Sequence, residues 1–251
     1  DLLNVVPFAP AQYYSSSFNG KLFALSSYTG KDPLAIYDAS DPSTFTLVNG
    51  VHDVGKAIYG SFQDQYLFQG QQEEIVKIDI SDPQNYLDVG RGTLDVRAPD
   101  HGQVIPFGNL LYVGNDHGTG NGFIIHQAEP DTKSPDIIAT QPLSNATNQA
   151  VTSRIGIAFS DNVQLRTLNS RTFIVRKPGE PPLAGTYSVH LGLSNFCPDE
   201  PLMPGQTYEV HLPAGGVCDW SGNSLSENFT FRFSTGPKVK RFQLEFSGKS
   251  D

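Results

Sequence analysis

Two near-identical tripeptides, Asp100-His101-Gly102 and Asp116-His117-Gly118, flank the apolar run Leu110-Leu111-Tyr112-Val113, and His126 follows. Imidazole and carboxylate are the ligands of zinc, copper and iron, and carboxylate oxygens suit calcium. A hairpin pairing 103–106 with 110–113 would set residues 101 and 117 opposite each other at its open end. Asp100, His101, Asp116, His117 and His126 are therefore the candidate site for a divalent metal (Zn, Cu, Fe or Ca) or a substrate. The alternative is that each Asp-His-Gly forms a turn, with Asp capping it and His bonded to a neighbouring sheet.

Other motifs are weaker. The run Gly118-Thr119-Gly120-Asn121-Gly122 precedes a strand-like segment and not a helix, so no helix N-terminus waits for a phosphate. Gly248-Lys249-Ser250 lacks the earlier glycine of a P-loop, because position 243 is Gln243. Asp219 with Gly222-Asn223, Asp161-Asn162, Asp38 with Asp41, and Asp79 with Asp82 could offer oxygens to calcium. Their spacing fits better with turns in which the side chain bonds the backbone. Asn145-Ala146-Thr147 and Asn228-Phe229-Thr230 are glycosylation sequons, relevant only to a eukaryotic secretory route. Tyr13, Tyr14, Phe18 and Tyr28 could line a sugar-binding face or simply pack between strands. No HExxH, GxSxG or CxxCH motif occurs, and sequence position singles out no catalytic residue.

These residues must be held by a chain of 251 residues with 24 glycines and 18 prolines, more than the usual combined share of about 12%. Short elements joined by turns follow, so the fold class expected is all-β. A net charge of −9 gives no electrostatic basis for binding nucleic acid. No apolar run reaches the ~20 residues of a membrane-crossing helix. The chain opens at Asp1, so it reads as a processed form or an excerpt. Cys197 and Cys218 are its two cysteines. A close pair without CxxC favours a disulfide, and with it a periplasmic or extracellular home, over a metal knuckle; two reduced buried thiols are the alternative.

The first half repeats. Ile36-Tyr37-Asp38-Ala39-Ser40-Asp41-Pro42 is echoed by Lys77-Ile78-Asp79-Ile80-Ser81-Asp82-Pro83. Lys21-Leu22-Phe23-Ala24 is echoed by Gln65-Tyr66-Leu67-Phe68 and again by Leu110-Leu111-Tyr112-Val113. A period in the low forties built of short alternating strands is that of a propeller blade. Proline ends each strand and aspartate caps its turn. The strand-and-turn pattern I-x-D-x-S-D-P over residues 19–126 resembles the LVIVD-repeat family of mostly exported bacterial β-propellers. The third copy departs from it: Phe123-Ile124-Ile125 is followed by Glu129-Pro130 in place of Asp-Pro. Residues 1–130 supply about three blades, and a closed propeller needs four to eight. A partial propeller is expected, completed by upstream blades or by another polypeptide.

Residues 127–135 form a polar, proline-punctuated linker. Beyond it, alternating runs at 155–159, 172–175, 186–189, 207–210 and 229–233 predict a β-sandwich. Gln141-Pro142-Leu143-Ser144-Asn145-Ala146-Thr147-Asn148 opens this region, Leu202-Met203-Pro204-Gly205-Gln206-Thr207-Tyr208 lies inside it, and Val217-Cys218-Asp219-Trp220-Ser221-Gly222-Asn223 comes before its last strand. In that order they resemble the bacterial Ig-like domain of surface-layer and other exported proteins, over 134–236. The resemblance implies a spacer or surface module and brings no catalytic residues with it. Residues 237–251 read as a tail or the start of a further strand. The leading expectation is a binding or scaffold segment of an exported bacterial surface or periplasmic protein. The alternative is a metal-dependent enzyme, or a subunit of one, using the His/Asp set.

Overall fold

The computed structural model describes residues 12–29, 34–41, 43–50, 59–71, 74–93, 100–117 and 123–237. Its first part is three antiparallel meanders. Sheet I is β1 (Gln12–Phe18), β2 (Leu22–Thr29), β3 (Leu34–Asp38) and β4 (Thr46–Gly50). Sheet II is β5 (Gly60–Gln63), β6 (Tyr66–Gly70), β7 (Glu74–Asp79) and β8 (Leu87–Thr93). Sheet III has three strands, β9 (Asp100–Phe107), β10 (Leu110–His117) and β11 (Phe123–Gln127).

One hydrogen bond marks the same place in every repeat. The residue after the third strand donates its N–H to the carbonyl just before the second: Ala39 to Lys21 at 2.8 Å, Ile80 to Gln65 at 2.8 Å, Ala128 to Asn109 at 2.7 Å. The third copy keeps this bond although its Asp-Pro is gone. In the first two copies the aspartates do what the pattern requires. Asp38, Asp41, Asp79 and Asp82 each accept the N–H two residues ahead, at 2.8–3.0 Å. Side-chain bonds from Ser40, Ser43 and Asn85 are the largest cause holding the Asp38, Asp41 and Asp82 carboxyls below their ordinary range.

Alternate residues of each strand face opposite ways, so a sheet can pack on both faces, as sheet II does. Leu22, Ala24, Leu34 and Ile36 of sheet I pack against Leu67, Val76 and Ile78 of sheet II. Phe68 and Ile75, on the other face of sheet II, pack against Val104 and Val113 of sheet III. The sheets are stacked but open, and they form no closed propeller. Nothing in them singles out the LVIVD family. Three stacked sheets fall short of the four that the smallest ring requires.

The second part is a sandwich of β12 (Ile137–Gln141), β13 (Ile155–Phe159), β14 (Ile174–Arg176), β15 (Gly185–His190), β16 (Leu193–Pro198), β17 (Thr207–Leu212) and β18 (Phe229–Ser234). A short 3₁₀ helix, Leu165–Thr167, follows β13. One sheet runs β12-β13-β16-β15 and the other β14-β17-β18, the strand order of an immunoglobulin constant-type sandwich. Ile155, Ile157, Phe159 and Phe196 meet Val175, Tyr208, Val210, Leu212, Phe231 and Phe233 in its core. On the outer side of β17, Glu209 sits between Arg176 and Arg232, its cross-strand neighbours, at 2.9 and 2.7 Å. Arg232 first, then Arg176, holds its carboxyl below the ordinary range.

The expected disulfide is not formed: Cys197 and Cys218 are free thiols. Cys197 follows the inward-facing Phe196 and so stands on the outer side of its sheet. Cys218 lies in a loop bridged to Ser224, its N–H bonded to Thr167 Oγ1. The inference of an oxidising compartment from these cysteines falls with the bond.

Thiol titration of the denatured protein without reductant should therefore find both cysteines reactive. Phe196→Ala should cost about 3–5 kcal/mol in urea denaturation, the usual result of emptying a fully buried phenylalanine site.

Candidate functional site

Each meander has a hairpin turn between its first two strands: Asn19-Gly20, Asp64-Gln65 and Gly108-Asn109. All three turns land on the sandwich. Gly20 has φ +102°, and any side chain there would collide with Ala158 of β13. Gly108 has φ +58°, and a Cβ there would lie 3.2 Å from Ser221 Oγ. The middle turn makes the polar contact. Asp64, left-handed at φ 52°, donates its N–H to the Ser160 carbonyl at 2.6 Å and accepts from Ser160 Oγ at 3.2 Å. Around them, Gln63 Nε2 donates to Asp161 Oδ2 at 3.3 Å and Asn162 Nδ2 to the Pro106 carbonyl at 3.1 Å. The Phe107 and Trp220 rings lie 4.6 Å apart.

The joint collects negative charge. Oxygens of Asp64, Asp131 and Asp161 lie within 4.8 Å of one another. Lys133 Nζ, 3.6 Å from Asp64, is the cation among them. Burial, with the neighbouring Asp64 and Asp131 charges adding to it, pushes Asp161 up to about 7. Burial also raises Asp64 and Asp219. Such crowding is relieved by a proton or by a cation, and these three side chains could hold one. They supply part of the six to eight oxygens that calcium takes. Asp161 was legible as a candidate oxygen donor; Asp64 and Asp131 were not singled out.

Beside the joint, a cavity of about 470 Å³ opens between the first hairpin and the outer face of the β12-β13-β16 sheet. Phe18, Gly20, Ala158 and Leu193 line it, with Gln141 and Asn195 as polar groups. Among the described residues its lining is mostly apolar, which suits it to hold an apolar group.

The sequence-derived metal set is only partly assembled. Backbone register pairs His117 with Asp100 and Asn115 with His101, while the side chains of Asp100, His101, Asp116 and His117 lie outside the described part. His126 pairs with Leu111, six positions along β10 from His117, which is about 20 Å of strand. Its Nε2 is buried without a hydrogen-bond partner. The 118–122 glycine run, the side chains of Tyr13, Tyr14 and Tyr28, and residues 238–251 also lie outside the described residues. Asp219 forms the expected turn, accepting from the Asn223 N–H and side-chain amide at 2.9 Å each.

A raised carboxyl favours the folded state below its unfolded pKa, and that advantage is lost as pH rises through the folded value. Stability should therefore fall between about pH 4 and pH 7 on account of Asp161. Asp161→Asn should flatten that decline and raise the pH 7 melting temperature by about 4 °C or more. Thermal melts across the range check it, and an unchanged slope would remove Asp161 as its source.

No curated protein matches the chain. Residues 131–235, which begin at the Asp131 of the joint and run through the last strand of the sandwich, match the family model of a bacterial Ig-like domain.

Proposed function

We propose that the chain is a binding and scaffold segment of an exported bacterial surface or periplasmic protein, in which the Ig-like domain is clamped onto one end of an arc of blade-like sheets. The observation that carries this reading is the landing of all three equivalent hairpin turns on one domain. A spacer on a free linker needs no such fit. Bacterial Ig-like domains are typical of surface proteins, which supports the location. The meanders, at blade spacing with blade topology, support the arc. The apolar cavity beside the clamp gives the segment a place to bind a small apolar group.

A second reading, a metal-dependent enzyme or enzyme subunit, draws on the pairing of Asp100 with His117. It keeps Asp100, His101, Asp116 and His117, and leaves out His126, which stands too far along the strand. Loss of bound metal in a folded His101→Ala/His117→Ala protein would favour it.

The clamp is tested by small-angle scattering and by tryptic cleavage at Lys133, inside the joint. The wild type should scatter as one rigid body and be cut slowly. Gly20→Val, which forces Val against Ala158, should weaken the clamp by about 1–3 kcal/mol and speed cleavage roughly tenfold or more. Scattering that fits only two freely moving bodies in the wild type would end the clamp reading.

A further inference from the structure

We propose that the pocket between the third hairpin and the sandwich is a binding site for a small aromatic carboxylic acid. The proposal goes beyond the scaffold reading and rests on its clamp, because the pocket is lined by both parts of the chain.

The cavity holds about 330 Å³, within the ~300–1,000 Å³ of small-molecule sites. Strand β9 contributes Ile105 and Phe107, and the sandwich contributes Leu165, Leu191 and Trp220. Three of these large apolar side chains stand open to solvent: Phe107 is 37% exposed, Leu165 47% and Trp220 48%. A cluster of that kind marks an interaction site. The Phe107 and Trp220 rings are tilted by 40° to each other and offer a flat ligand a face to stack on. Leu191 lines the pocket from a left-handed backbone at φ 54°, in the two-residue loop between β15 and β16. Such loops ordinarily take Asn, Asp or Gly, and backbone strain of this sort gathers at binding sites.

One charge stands in this apolar setting. Arg166, in the short 3₁₀ helix, is the charged side chain among the described residues of the lining. The buried Gln164 accepts from Arg166 Nε and donates its own Nε2 to the Asp219 carbonyl, just before Trp220. A single amide thus fixes the guanidinium against the loop that carries the indole. Among the described residues no carboxylate pairs with Arg166, in a chain of 26 acidic residues. The bond through Nε leaves the two terminal nitrogens for an anion, and their planar fork suits the two oxygens of a carboxylate. The body of the ligand is apolar: a sugar acid would bring hydroxyls that Ile105, Val189 and Leu191 cannot pair. A carboxylate carried on an aromatic ring meets both demands, with its ring against Phe107 or Trp220 and its charge on Arg166.

Trp220 is the single tryptophan of the chain, so its fluorescence reports on this pocket. Titration of the full chain with phenylacetate should give a saturable change in emission, and calorimetry should return the same Kd. Arg166→Gln should weaken binding about 10–100-fold with an unchanged circular dichroism spectrum. Uncharged phenylacetamide should bind the wild type more weakly by a similar factor, a comparison that needs no variant to fold. No saturable binding of phenylacetate overturns the proposal. Equal affinity for phenylacetamide, undiminished binding by Arg166→Gln, or binding of galacturonate in preference to phenylacetate overturns it too. Scattering without ligand reads the clamp by itself, so a rigid protein that binds no phenylacetate counts against this site alone.

Discussion

A hairpin tip presents N–H and C=O groups that its own ladder does not satisfy, and in sheet II the Ig-like domain satisfies one of them. The Asp64 N–H goes to Ser160, a bond made possible by a left-handed backbone that aspartate tolerates better than most residues. Ser160 in turn receives its register from the linker, donating its N–H to the Asp136 carbonyl and accepting the Asp136 N–H on its hydroxyl. The linker, the second sheet and β13 are thereby tied at one serine. The glycine tip of sheet I then closes on the sandwich where only a bare backbone fits, and that of sheet III lies against Ser221.

Acidic side chains meet opposite fates in the same molecule. Glu209 is bracketed by two guanidinium groups on an outer sheet face, where water still reaches, and its charge is favoured. Asp161 is buried in the joint among other carboxylates, and its charge is disfavoured. Glu209 laces three strands of one sheet together. Asp161 makes the fit between two domains sensitive to what neutralises it. A buried carboxylate is costly in an interface, so its presence there is better suited to a tunable contact than to a maximally stable one.

Local chemistry was legible and long-range chemistry was not. The aspartate-capped turns, the three-fold echo and the strands at Ile155, Tyr187, Val210 and Phe231 all rest on neighbours within a few residues. β12 and β16 escaped notice because their own residues hide them. β12 is short and half-buried with an irregular register, and β16 carries Asn195 and ends on Pro198. Asp64 and Asp131 meet Asp161 only after three separate elements fold together, and nothing near them in sequence announces it. The cysteines misled for a related reason: nearness along the chain says nothing about which side of a sheet a thiol occupies. The period in the low forties points to propeller blades; the strands it marks form repeated open meanders, and ring closure depends on surfaces that no period encodes.

The clamp also sets an order of events. Gln63 bonds Asp161 across 98 residues of chain, and Ser160 bonds Asp64 across 96. Closing such distances carries a loop entropy that must be met before any contact rewards it, and topologies dominated by distant pairings fold slowly. During synthesis the sheets emerge first, with their hairpin tips bare, and wait for a domain not yet made. The Ig-like domain is thus the later-made piece against which the three hairpin tips close.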